Sequence, residues 1–279
     1  TFCARFEKPI VQEDDKDALR RLNQLTGPFI LRRMKSEVLK ELPPKTENLH
    51  RIELDEQQRK LYLAAVVDAR EKLRAAKPED KMAVFAVLMR LREICCDPRL
   101  VADNWDGGSA KLDACMELVT AAVEGGHRIL LFSQFTSMLE LLAKRLDEAG
   151  VSHFTLQGST PKPVRAELVR RFNNGEADVF LISLRAGGTG LNLTAADIVI
   201  HYDPWWNVAA QNQATDRAYR IGQRNPVQVY KLIAQDTIEE KIVELQQAKQ
   251  ELAETVTGSA DGAIRSMKPE ELLQLRQEE

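Results

Sequence analysis

Residues 178–223 read DVFLISLRAGGTGLNLTAADIVIHYDPWWNVAAQNQATDRAYRIGQ. The opening segment, Val179 to Leu184, is apolar except for Ser183, the pattern of a strand buried on both faces of a parallel sheet. Ile198 to Tyr202 repeats that pattern, and a helix is predicted from about Val208 to Arg220. Between the two strands lies SLRAGGTGLNL (Ser183 to Leu193). Its glycines let backbone N–H groups approach an anion, with Ser183 and Thr189 as hydroxyl donors. A tight turn explains the same glycines equally well. Arg217 and Arg220, three residues apart, are expected on one helical face beside Gln213 and Gln223. Arginine is always charged and its rigid fork of donors matches phosphate oxygens.

Working outward, strands are predicted at Arg128 to Phe132, Ser152 to Leu156 and Val227 to Ile233, with helices between them. Ser109 is placed to cap one helix, Ser137 with Glu140 another, and Thr160 with Pro161 opens a third. Such alternation implies an α/β fold, a parallel sheet flanked by helices, with ligands at the carboxyl ends of the strands. Those ends carry Ser133 and Gln134, Gln157 to Thr160, Ser183 to Leu193, and Asp203 to Asn207.

Three zones follow: 1–108, 109–235 and 236–279. The first is expected to be helical, with no convincing strand. It holds one helix capped by Asp55 and Gln58, and another from about Glu79 to Cys96 carrying Met82, Phe85 and Met89 on its apolar side. The last begins with a Thr237–Glu240 capping box and a helix with Ile238, Ile242, Leu245 and Leu252 at helical spacing, read as a brace. Beyond Gly258 the sequence turns polar.

Composition excludes several classes. With 279 residues, 44% hydrophobic and 29% charged, the chain is that of an ordinary globular protein. Its apolar runs fall far short of the roughly 20 residues that cross a bilayer. Four cysteines without a C-x-x-C pair, and His50, His127, His153 and His201 without ligand spacing, give no metal site. A net charge of −3 conceals segregation: eight basic and three acidic residues from Lys16 to Lys45, five basic and eleven acidic from Asp236 to Glu279. Lys162, Arg165, Arg170 and Arg171 fit a solvated helix face or a phosphate-attracting one. The start at Thr1 without a signal-peptide core reads as an intracellular protein excised from a longer one, cytoplasmic in a bacterium and nuclear in a eukaryote.

The run from Asp178 to Gln223 resembles motifs V and VI of the Swi/Snf-type ATPases, the chromatin-remodelling branch of helicase superfamily two. RILLFSQF (Arg128 to Phe135) resembles motif IV, and FTLQGSTPKPVRAELVRRFN (Phe154 to Asn173) the segment after it. FILRRMKSEVLKELPPK (Phe29 to Lys45) and LREICCDPRL (Leu91 to Leu100) are similar to that family's helical protrusion. The resemblance spans roughly residues 5–255 and implies the C-terminal RecA-like lobe, with an N-terminal helical protrusion and a C-terminal brace helix. It also implies that Arg217 and Arg220 are arginine fingers reaching the γ-phosphate of ATP. Gly190, Asn192 and Gln213 would lie at the nucleotide. Ser133, Gln134, Gly158, Ser159, Thr160 and Ser183 would meet the phosphates of double-stranded DNA. Trp206 would pack near the DNA groove, or else be buried under the sheet edge. Val208 stands where Pro is usual, which bears on the helix start alone.

Neither a P-loop nor a DExx box after a strand occurs in the chain. ATP and Mg²⁺ are therefore expected to be held mainly by an N-terminal RecA-like lobe outside this sequence, the principal partner beside duplex DNA and DNA-bound protein complexes; no membrane is implied. The alternatives are a non-catalytic DNA-binding or docking module that kept the fold, and an RNA helicase lobe.

Overall fold

The computed structural model describes residues 2–12, 15–26, 42–75, 81–102, 104–184, 186 and 190–255. They divide into a small unit, residues 2–26 with 247–255, and a main unit, residues 42–246. In the small unit, helices α1 (Lys8–Gln12) and α2 (Lys16–Thr26) follow a π-helical turn at Cys3–Glu7. Asp15 caps α2, its carboxylate accepting from the N–H of Asp17 and Ala18 at 2.9 and 3.0 Å. Most of the Phe29–Lys45 segment and the tail beyond Thr255 lie outside the described residues.

The main unit contains β1 (Lys45–Ile52), α3 (Glu56–Ala75), α4 (Lys81–Cys96), α5 (Ala110–Glu124), β2 (Ile129–Ser133), α6 (Thr136–Glu148) and β3 (His153–Leu156). It continues with α7 (Lys162–Asn173), β4 (Val179–Ser183), β5 (Ile198–His201), α8 (Val208–Thr215), β6 (Val227–Ala234) and the start of α9 (Ile238–Thr255). The strands form one parallel sheet in the order β1-β6-β5-β2-β4-β3. Each of the five expected strands is present.

A sixth, β1, lies in the zone expected to be helical. Its sequence KTENLHRI alternates poorly because it is an edge strand, exposed at most positions. Its register, Lys45 opposite Val227 through Ile52 opposite Ala234, rests on backbone pairing and on Glu47, which bridges Lys45 and Lys231 at 2.7 Å each. Long-range pairing of that kind leaves no local periodicity to read.

Alternate residues of the central strands serve opposite faces. Ile129, Leu131, Val179 and Leu181 join one core with Met116, Val119, Leu139 and Leu142 of α5 and α6. Leu130, Phe132, Phe180 and Ile182 join the other with Phe172 of α7 and Ala214 of α8. All four β2 side chains from Ile129 to Phe132 are fully buried, each contributing about 1.5–3 kcal/mol. Continuous apolarity, not alternation, is what burial on both faces requires.

A third cluster joins α3, α4 and the first turns of α9: Tyr62, Val66, Leu88, Leu91, Ile94, Ile238 and Ile242. On α4 the expected apolar side is partly buried only at Met89, which packs against the first core. Met82 is 75% and Phe85 52% exposed, whereas Leu88, Leu91 and Ile94 face inward. A stripe offset by one position along the helix, chosen by packing against α3 and α9, wins.

Several caps differ from expectation. Ser109 does cap α5, accepting from Leu112 N–H. Asp55 caps α3, but the Gln58 amide turns inward to the Ile94 carbonyl instead of closing a box. Ser137 makes no cap; Phe135 precedes α6. Thr160 does not open α7: Pro161 holds the cap position, and the Thr160 hydroxyl accepts from Gln157 N–H at 3.1 Å. Thr237 accepts from Glu239 N–H, and Glu240 reaches back to the N–H of Asp236, one residue before the expected partner. Among the described residues no helix is long and apolar enough to cross a membrane.

His201, at the end of β5, is 1% exposed and, among the described residues, accepts or donates only at Thr215 Oγ1, 2.9 Å away. Burial, together with the charge of Lys231, pulls its pKa down to about 3. In the unfolded chain it protonates near 6.5. The folded form therefore binds fewer protons between those values, so stability is intact above pH 6.5 and falls as the pH drops toward 3. The slope is about 1.4 kcal/mol per pH unit for this one group. A His201→Gln variant should lose less melting temperature than wild type between pH 7 and pH 5; equal losses would contradict this assignment.

Candidate functional site

Because all six strands are parallel, their carboxyl ends meet along one edge. The chain turns at β4: β4 and β3 lie on one side of β2, β5, β6 and β1 on the other. Ser133 and Ser183 end β2 and β4 and Asp203 follows β5, all three buried at the edge where α/β sheets take their ligands.

The structure places the arginines otherwise than expected. Helix α8 stops at Thr215, and Arg217 and Arg220 lie in the turns that follow it, not on a shared helical face. Asn207 starts that helix, its side chain accepting from Ala210 N–H, so Val208 is accommodated. Two bonds fix position after the helix: the Arg217 carbonyl accepts from Leu193 N–H at 3.0 Å, and the Arg220 guanidinium donates to the Leu191 carbonyl at 3.3 Å. Both tie the turn to the β4 loop. Gln223 locks its far end, donating to the carbonyls of Ala196 and Ala218 at 2.7 and 3.2 Å while accepting from the N–H of Arg224 and Asn225.

Arg217 is 8% exposed, and its Nε has no hydrogen-bond partner among the described residues. Burial and the neighbouring Arg220 lower its pKa, with Asp216 acting the other way. A nearly buried guanidinium beside a second one is costly unless an anion compensates. Gly190 is exposed with φ +47°, and a Cβ there would meet nothing within 4 Å, so the loop opposite leaves open space. Asn192 is exposed and its carbonyl accepts from Asn173; Gln213 is exposed on α8. Arg185, Gly187, Gly188 and Thr189 lie outside the described residues.

The remaining site residues fall into two groups. Gly158 and Ser159 are exposed and Thr160 half-buried, in a loop whose carbonyls Gln157, Gly158 and Thr160 all accept from Arg165. With the carbonyls drawn toward Arg165, space opposite Gly158 is free. Arg170 and Arg171 pair instead with Glu167 and Glu176. Ser133, by contrast, is fully buried, donating to Asp203 Oδ1 at 2.6 Å and accepting from Phe135 N–H. Ser183 is 3% exposed and accepts from Ala186 N–H. These two hydroxyls shape the edge from inside.

Gln134 and Trp206 converge on a residue that sequence reasoning passed over. Arg92 of α4 is fully buried; it donates to Gln134 Oε1 at 2.9 Å and to the Pro204 carbonyl, faces Asp203 Oδ2 at 3.5 Å, and lies 5.5 Å from the Trp206 ring centroid. One signal was available: Arg92 stands four residues after Leu88 and three and four before Cys95 and Cys96, so helical spacing puts it on their apolar face. Burial raises the pKa of Asp203, with Arg92 opposing. A groove of about 860 Å³ between α5 and α6, lined by Asp113, Glu117, Arg145 and Glu148, shares none of these residues.

The helicase conserved C-terminal domain family matches residues 110–222, and the SNF2-related domain family matches residues 1–100. The chain belongs to the SWI2/SNF2 family, as its C-terminal lobe. The SWI2/SNF2 lobe is 39% identical over 278 residues to an uncharacterised ATP-dependent helicase of Mycoplasma pneumoniae, covering 98% of this chain and 26% of that protein. Identity is again 39% with the putative ATP-dependent helicase/translocase YwqA of Bacillus subtilis, covering 98% and 31%. The human SWI/SNF-related matrix-associated actin-dependent regulator of chromatin subfamily A member 1 is 36% identical, covering 94% and 27%. The chain thus spans about a quarter to a third of the curated relatives it matches.

Among solved structures, the Sulfolobus solfataricus SWI2/SNF2 ATPase core in complex with dsDNA matches with TM-score 0.71 and 30% identity, covering 99% of this chain and 60% of that one. The C-terminal domain of that ATPase matches with TM-score 0.67 and 29% identity, covering 82% and 96%. The parallel sheet and flanking helices of the SWI2/SNF2 lobe are the RecA-like arrangement of those cores.

Proposed function

We propose that this lobe is the second half of an ATP-dependent double-stranded DNA translocase, completing the ATP site of an N-terminal lobe and gripping DNA phosphates. The observation that carries the reading is the Arg217 guanidinium: nearly buried, next to Arg220, its Nε without a partner among the described residues. Such a cation fits an anion delivered across a lobe interface. ATP supplies the γ-phosphoryl group, on which negative charge develops as it transfers. Arg217 and Arg220 would stabilise that charge, and the bonds from Leu193 and to Leu191 hold both arginines against the Gly190 loop beforehand. Gly190, Asn192 and Gln213 would border the nucleotide; Mg²⁺ is assigned to the other lobe.

On the DNA side, exposed Gly158 and Ser159 with Thr160 would meet phosphates directly, where backbone donors position without reading sequence. Ser133 and Ser183 would set the backbone around Gln134 and the β4 loop, and Trp206 would border the same edge. Closure of the two lobes on ATP and reopening after hydrolysis would move one grip relative to the other. DNA-bound protein complexes would be what such movement displaces.

The chain alone should show no ATP turnover above buffer, whereas the full-length protein should turn over ATP faster with duplex DNA. Duplex affinity of the full-length protein should fall with salt, log Kd changing by about 0.9 per phosphate neutralised for each tenfold increase. Salt-independent binding, or stimulation by single-stranded RNA and not by duplex DNA, would overturn the reading.

A further inference from the structure

Helix α4 lies outside residues 110–222, the span that matches the helicase conserved C-terminal domain. Yet Arg92 from that helix occupies the centre of the sheet's carboxyl edge. Its fork is spread over two loops: one nitrogen reaches Gln134 Oε1 after β2, the other the Pro204 carbonyl and Asp203 after β5. The guanidinium also sits between two rings, 5.7 Å from the Phe135 centroid and 5.5 Å from that of Trp206. These partners are 42 to 112 residues away in sequence.

A buried cation kept for stability alone is best served by a bidentate carboxylate. Arg92 does not have one. Its nearest approach to Asp203 is 3.5 Å, its shorter bonds go to neutral oxygens, and Nε is unpaired among the described residues. Asp203 is turned to the loops too, accepting from Ser133 Oγ at 2.6 Å and from Gln134 N–H at 3.2 Å on the same oxygen. Together the two charges clamp the β2 and β5 loops from below. The clamp also settles the Gln134 amide: with Oε1 taken by Arg92, Nε2 is a buried donor without an acceptor among the described residues.

We propose that Arg92 is a positioning residue for the duplex-DNA grip, through which the α3–α4 hairpin fixes the orientation of the Gln134 amide and the seat of Trp206. This rests on the translocase reading above. Arg92 touches neither nucleotide nor DNA; it acts through Gln134. Movement of the hairpin is thereby transmitted to both loops at once.

The test is a double-mutant cycle in the full-length protein, read as the duplex concentration that half-maximally stimulates ATP turnover. Arg92→Lys keeps the charge and loses the fork. It should raise that concentration about tenfold, the loss of one charge-assisted hydrogen bond, with the effect on duplex half-saturation and not on the rate at saturating duplex. In a Gln134→Ala background the same change should shift it less than about twofold, since the residue it acts through is gone. Should Arg92→Lys not fold, Arg92→Met with Asp203→Asn removes both buried charges while leaving an acceptor for Ser133, and should give the same shift. An unshifted half-saturation, additive effects in the cycle, or a loss confined to the saturated rate would each overturn the proposal. Wild type that ignores duplex DNA overturns the translocase reading itself, and this proposal with it; wild type that responds while Arg92→Lys is unshifted overturns only the proposal.

Discussion

Arg217→Ala in the full-length protein should lower ATP turnover by about a thousandfold or more, the scale of losing an arginine finger. That is about 4 kcal/mol of transition-state stabilisation. The expectation comes from the setting of the side chain. It is 8% exposed and beside Arg220, Asp216 opposes only in part, and its Nε has no hydrogen-bond partner among the described residues. On the proposed reading, the phosphate met at the lobe interface supplies the compensating charge. Removing it should therefore leave the melting temperature unchanged or raise it, while turnover collapses. Arg217→Lys should restore little, because an ammonium lacks the planar fork. Turnover within about threefold of wild type in Arg217→Ala would remove the arginine from the transition state on that scale. A fall in melting temperature matching the loss of turnover would make it a structural residue instead.

Lys111→Met should be the most destabilising single substitution among those considered. Lys111 Nζ meets Glu239 Oε2 with both side chains fully buried, joining the start of α5 to the start of α9. The same oxygen accepts from Ala234 N–H, and the ammonium lies 5.7 Å from the Tyr202 ring centroid. Glu239 Oε1 has no partner among the described residues. Losing the lysine strands a buried carboxylate, which costs about 3–5 kcal/mol. At about 2–4 °C per kcal/mol for a domain of this size, the melting temperature should fall by about 10 °C. Lys111→Met with Glu239→Gln should recover part of that loss, since the neutral amide removes the stranded charge and still offers Ala234 N–H an acceptor. A double variant as unstable as the single one would show that the pair, not the stranded charge, holds α9 in place. Thermal unfolding of the three proteins decides between them.

The buried thiols Cys95, Cys96 and Cys115 surround this pair, and burial pushes all three thiol pKa values up, Cys115 to about 12. They pack as apolar groups.

How much was legible follows from where the information lies. The runs Ile129–Phe132 and Val179–Ile182 name their own burial, because a strand covered on both faces must be apolar at every position. From those runs came the parallel sheet and its carboxyl edge, whereas Arg217 and Arg220 were expected on a helix and lie in the turns after it. β1 was not legible: its residues are polar and its pairing partner, β6, lies some 180 residues away. The end of α8 at Thr215 was hidden too, because QATDRAYR has good helix formers up to Arg220. The bonds that turn the chain there, from Leu193 to the Arg217 carbonyl and through Gln223, come from elsewhere in the fold.

The sequence by itself determined the fold class and the family, since each is written in a local run or a motif of fixed spacing. Tertiary structure alone decided which serines are hidden, which face of α4 packs inward, and that Arg92 stands beneath Gln134 and Pro204. The reason is physical: burial and hydrogen-bond partnership belong to pairs of residues distant in the chain, and no local pattern encodes the second member of a pair.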